Sequence, residues 1–124
     1  MSMSKKCVLC PLSIALLCWS QQAIAFECPR MEKTGPGILQ ETKQDEQALS
    51  QMFTGGDVED EIGVAVTNLQ KRYPKASDTE LVNYLIGAYC PVVASMSDLS
   101  DAQKTSRVEH FTATVFELLA EQKL

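Results

Sequence analysis

The first 25 residues decide how much chain is left to fold. Lys5 and Lys6 stand in an opening hexapeptide without acids, Cys7 to Trp19 is an apolar run of 13, and Ala23-Ile24-Ala25 puts small residues at the two positions a signal peptidase reads. Those three parts in that order form a secretory signal peptide, with cleavage expected after Ala25. A membrane-anchoring helix would need about 20 apolar residues, whereas this run contains Pro11 and Ser13 and gives way to Ser20-Gln21-Gln22. A lipid anchor at Cys18 is disfavoured, because Leu17 fills the place where the lipoprotein peptidase takes a small residue. The expectation is a periplasmic or secreted protein with no stable membrane anchor after signal removal. Its single small domain would run over 26–124, with 26–37 an irregular lead.

Removal of the leader takes away Lys5 and Lys6 and leaves nine basic residues against all 16 acids, a net charge of -7. A nucleic-acid binder needs the opposite sign, so no nucleic-acid partner is expected. The hydrophobic fraction of 45% is too high for a disordered tail. An acidic surface favours solubility and basic partners and opposes anionic lipid.

Of five cysteines, Cys7, Cys10 and Cys18 leave with the leader, and Cys28 and Cys90 remain. An even count in a small exported domain points to one disulfide between them. The two are 62 positions apart, and the chain-entropy relation assigns a loop of that size about 4 kcal/mol before strain. Both precede prolines, Pro29 and Pro91, which disfavours the α conformation at the cysteine. Each cysteine is therefore expected at a helix end or kink.

The remaining pattern is helical. Thr34-Gly35-Pro36-Gly37 punctuates the chain, and Ile38 to Phe53 reads as a first helix closed by Gly55-Gly56. Asp57 is placed to cap a second, with Glu59, Asp60 and Glu61 in its first turn and Lys71 and Arg72 in its last. Its stripe is Val58, Ile62, Ala65, Val66, Leu69 and Tyr73. Ser77 and Glu80 form a capping box ahead of a third segment that is apolar nearly all round and so reads as the buried centre, broken or kinked at Cys90-Pro91 with a further turn allowed over Val92-Val93-Ala94. Ser100 and Gln103 form another box for a fourth helix, Ala102 to about Gln122, whose stripe is Val108, Phe111, Val115, Leu118 and Leu119. The fold class is all-α: a small bundle of about four helices stapled by one disulfide.

Catalytic equipment is sparse. The only histidine, His110, points away from its helix's apolar stripe toward solvent beside Glu117, and a lone exposed histidine makes no triad. No metal site is expected from one histidine and two bridged cysteines. The Asp57–Glu61 acids lack the spacing and turn glycine of a calcium loop and read as helix-start charges. Cys-x-x-Cys-His, phosphate-loop and dinucleotide-loop motifs are absent, so no cofactor is expected. Asn83, Tyr73, Tyr84 and Tyr89 read as packing residues, the tyrosines with hydroxyls reaching outward. Phe116, at the edge of its helix's stripe, is the candidate interaction residue, since aromatic side chains dominate binding hot spots.

These readings converge on an exported helical binding protein without catalytic activity, such as an inhibitor, an immunity-type protein or a stress chaperone, with another protein as partner. Its size, export and single bridge resemble those of the small helical acid-stress chaperones of the bacterial periplasm. That resemblance is one of general character and implies loosening in acid. The alternatives are a small carboxylate-dependent enzyme, marked by two acids converging in a concave pocket, and a carrier of an apolar ligand, marked by an enclosed cavity of about 300 Å³ or more.

Overall fold

Each helix begins where a side-chain oxygen satisfies a backbone N–H left free by the first turn. In a computed structural model, which describes residues 25–29, 37–55 and 57–124, Thr42, Asp57, Ser77 and Ser100 accept from the amides of Asp45, Glu59, Glu80 and Gln103. The helices they open are α1 (Lys43–Met52), α2 (Val58–Arg72), α3 (Asp78–Ala94) and α4 (Asp101–Glu121), with no strand among the described residues. The leader up to residue 24, the Thr34-Gly35-Pro36 punctuation and Gly56 lie outside the described residues.

Two starts differ from expectation. α1 begins at Lys43, five residues after Ile38, because Thr42 and Asp45 form a reciprocal box in which the Thr42 amide donates to Asp45 Oδ2 at 2.9 Å. At α3 only half the Ser77–Glu80 box closes. Glu80 instead accepts the Leu39 amide at 2.8 Å, tying the chain ahead of α1 to the head of α3. The Ser100–Gln103 box on α4 is complete. Ser100→Ala is expected to destabilise the fold by about 1 kcal/mol, read as a lower urea midpoint at unchanged slope.

α3 is the central helix, burying Leu81, Val82, Leu85, Ile86, Ala88, Tyr89, Cys90, Val92 and Val93. It packs against α4 and α1, and α4 packs against α2. Lys104 Nζ donates to the Ala94 carbonyl at 3.1 Å, and Lys123 pairs with Asp78, so α3 and α4 are antiparallel. Leu39 meets Glu80, and Ser50 Oγ donates to the Ala88 carbonyl at 2.7 Å, so α1 runs along α3 in the same sense. The order around the bundle is α1, α3, α4, α2, which leaves α1 and α2 facing one another across a gap. α1 itself buries no residue; Phe53, its C-cap, does.

Phe53, Tyr89 and Phe111 form the aromatic centre. Tyr89 and Phe111 stack at 4.1 Å, and Phe53 meets Phe111 edge-on at 5.2 Å. Tyr89 is 4% exposed, its ring buried and its hydroxyl toward Arg107, and burial pushes its pKa up while Arg107 opposes the shift. Tyr73, Tyr84 and Asn83 are partly exposed.

Cys28 and Cys90 are linked, their Cα atoms 5.7 Å apart. Cys28 lies in the irregular lead, but Cys90 lies inside α3, which continues through Pro91 to Ala94. The further turn allowed over Val92-Val93-Ala94 forms, because Pro91 sits on an exposed position and the carbonyl it cannot serve belongs to Gly87, also exposed. Phe26 and Cys28 pack on the core beneath this link.

Candidate functional site

The gap between α1 and α2 is a groove of about 220 Å³, open to solvent. Ala48, Leu49 and Met52 of α1 and Ala65 and Leu69 of α2 supply apolar walls, with Tyr84 of α3 between them. Asp45, Asn68 and Arg72 add polar groups. The helices position these side chains by the i, i+4 rule: 45, 49 and 48, 52 on α1, and 65, 69 and 68, 72 on α2.

At the Arg72 end lies Glu41, one residue before the α1 cap. Its side chain is 3% exposed, and Arg72 Nη2 stands 2.7 Å from Oε1. Neither carboxylate oxygen has a well-aligned hydrogen-bond donor, so the pair is held by charge rather than by directed N–H bonds. Burial pushes the Glu41 carboxyl above its ordinary pKa, and Arg72 only partly opposes this. Asp45, beside it, is held below the ordinary value by the backbone and hydroxyl of Thr42. Tyr84 is raised by burial and by the surrounding acids. Arg72 leans over the Tyr73 ring at 5.7 Å and remains 54% exposed.

The two carboxyls work in opposite directions with pH. Glu41, raised in the fold, favours the folded state when protonated. Its contribution is full below the ordinary glutamate range and is lost as pH rises through its raised value. Asp45, lowered in the fold, contributes above the ordinary aspartate range and loses that contribution as pH falls. Truncating Arg72 leaves a buried carboxylate uncompensated, whereas truncating the carboxylate leaves an arginine already half in water. Arg72→Ala is therefore expected to destabilise by about 2 kcal/mol at neutral pH and by far less in mild acid, while Glu41→Gln is neutral or stabilising. Urea unfolding of both variants across pH checks this asymmetry.

The residues singled out in the sequence lie elsewhere. Phe116 on α4 is 47% exposed, as its edge position suggested, and is well separated in sequence from Val64 at 52% and Ile38 at 46%. The His110 side chain is 72% exposed as expected, and Glu59 of α2 stands 3.4 Å from it. The cause is the α2–α4 packing, which a wheel of one helix cannot show. Asp57 caps α2. Among the described residues no group of three or more metal-ligating side chains occurs, and no helix is long and apolar enough to cross a membrane. A second depression, about 360 Å³ and more open, is lined by Leu99, Ala102, Gln103, Ser106 and Arg107. Neither space is the enclosed apolar cavity that would mark a carrier.

Glu41 was not legible as a site residue. It stands 31 positions before Arg72, and no spacing rule says which of 16 acids faces a given arginine. Compared with protein-family models, with curated proteins and with solved structures, the chain matches none.

Proposed function

We propose that this chain is an exported helical binding protein of the inhibitor, immunity or stress-chaperone kind, and that the α1–α2 groove receives a cationic, apolar-stemmed side chain from a basic partner protein. The observation that carries this reading is the groove itself. Its walls are apolar yet open, and its volume of about 220 Å³ suits one long side chain, falling below the roughly 300–1,000 Å³ of small-molecule pockets. The aliphatic stem of a lysine or arginine would cover Leu49, Met52 and Leu69 while its charge met Asp45. Arg72 is already engaged by Glu41. A net charge of -7 after leader removal steers basic partners toward the molecule and repels acidic ones.

A photo-crosslinking residue at Ala48, introduced in the cell that makes the protein, tests this directly. The expected product is a crosslink to a basic protein that disappears with Asp45→Lys and persists with Phe116→Ala. Crosslinks indifferent to Asp45, or made only through α4, sink the groove as the docking face and return Phe116 as the anchor. The chaperone version has its own test. In acid, loss of 16 negative charges and protonation of His110 take the side-chain total from -7 toward +10. Dye binding and suppression of client aggregation are then expected near pH ~2 to 3, and a dye-silent fold rejects it.

One observation favours a second reading, the carboxylate-dependent enzyme. Glu41 and Asp45 are neighbouring acids whose surroundings push their pKa values apart, the pattern of an acid–base pair. Against it, both Glu41 oxygens are covered and Asp45 is engaged by Thr42. Turnover of a chromogenic glycoside, abolished by Glu41→Gln and by Asp45→Asn alike, is the result this reading requires.

A further inference from the structure

The groove has an unusual end wall. Arg72, which lines it, is half in water and is drawn inward toward a carboxylate with no aligned donor. A buried carboxylate without a directed N–H is costly, and a proton removes that charge at the expense of one O–H that needs an acceptor. α1, which carries the opposite wall, has no fully buried residue of its own and is attached through Phe53, the Leu39–Glu80 bond, Ser50 and the half-buried Leu49.

We propose that the Glu41–Arg72 pair is a proton-operated latch on the docking groove: ionised Glu41 holds Arg72 across the groove's end, and one proton taken up by Glu41 frees Arg72 to move into solvent and opens that end. The reading rests on the groove as the docking face and adds its regulation.

The charged and titratable groups around Glu41 fit this role. On α1, Asp45 and Glu46 add negative charge near the site; on α2, Arg72 and Tyr73 face it; on α3, Tyr84 lies against it and Glu80 holds the chain two residues upstream. Proton uptake converts the Glu41 carboxylate to a carboxylic acid, with no other bond made or broken, and gives it one O–H to offer. Asp45 is the acceptor at hand, and its own carboxyl is held low and so remains ionised while Glu41 titrates. The charge on Arg72 then loses its buried partner, and water is available to it on the side already exposed. Burial raises the Glu41 carboxyl above its ordinary value, so the proton is taken up there without the bundle having to unfold.

Side-chain NMR of the purified protein tests the latch without any partner. The Glu41 carboxyl carbon and the Arg72 Nε–H are followed from about pH 7 down to about pH 4. The expected result is a Glu41 midpoint above the ordinary glutamate value, with Arg72 solvent exchange, corrected for the intrinsic pH dependence, rising about tenfold across the same midpoint. That factor corresponds to about 1.4 kcal/mol. Glu41→Gln is expected to show fast Arg72 exchange at every pH, with unchanged α3 and α4 resonances as the control on folding. An Arg72 signal that ignores the Glu41 midpoint overturns the proposal, as does wild-type protection of Arg72 in Glu41→Gln. Should the variant fail to fold, the wild-type titration decides alone. Failure of the crosslink at Ala48 would remove the partner and leave this titration standing, so the two readings fail separately.

Discussion

Opening the Cys28–Cys90 link is expected to lower stability by about 4 kcal/mol, because the cross-link removes from the unfolded chain the freedom of a loop spanning 62 positions. Small domains have about 5–15 kcal/mol in all, so the reduced protein stands close to its threshold. The shift in thermal midpoint should be on the order of 20 °C. Two features of the measurement separate this mechanism from lost packing. The urea slope should increase on reduction, since a chain without the link exposes more surface when unfolded. Helix content in the absence of denaturant should stay close to that of the oxidised protein, since α1 to α4 carry their own caps. The doubly substituted Cys28→Ser, Cys90→Ser protein should match the reduced wild type. An unchanged midpoint would mean that the residues around Phe26 and Cys28 do not brace the core they pack against.

Phe111→Ala is expected to destabilise by about 3–5 kcal/mol, comparable with loss of the link. Phe111 is 2% exposed and is the shared member of both closest ring contacts, stacked on Tyr89 and edge-on to Phe53. Its removal leaves a cavity at the junction of α3, α4 and the C-cap of α1, where three separate elements would have to shift to refill it. Phe111→Leu, which keeps most of the volume, should lose much less. Tyr89 gives an independent readout. Its phenol is pushed up by burial, so admission of water beside it in Phe111→Ala should bring its titration back toward the ordinary tyrosine value. Near-ultraviolet dichroism should weaken as well, because Tyr89 would lose its fixed stacking partner. Because Cys90 adjoins Tyr89 in α3, combining Phe111→Ala with reduction of the link is not expected to be additive.

The helices were largely legible because their punctuation is local. Asp57, Ser77 and Ser100 announce their helices a few residues ahead, and the stripes Ile62–Leu69 and Val108–Leu119 repeat at helical spacing. The start of α1 was missed by five residues because its box uses Asp45, a shorter acid than the glutamate or glutamine of the usual pattern. At Pro91 the proline rule left a break, a kink or one further turn open, and the turn over Val92-Val93-Ala94 forms because the orphaned carbonyl belongs to the exposed Gly87. The groove and the Glu41–Arg72 pair were beyond reach in principle. They depend on which helices are neighbours and in which sense they run, and neither follows from periodicity along one strand of sequence. The exposure of Phe116 and His110 was readable, since that is a property of one helix; the pairing of His110 with Glu59 was not.

The tie between Cys28 and Cys90 also has a consequence for biogenesis. Translation delivers Cys28 sixty-two residues ahead of its partner, so its thiol has to wait, unpaired, until almost all of α3 has emerged. The Leu39 amide waits likewise for Glu80. The chain thus cannot be secured from its beginning: the segment around Cys28 has no fastening until α3 is made, and any oxidant acting too soon meets its thiol before its native partner exists.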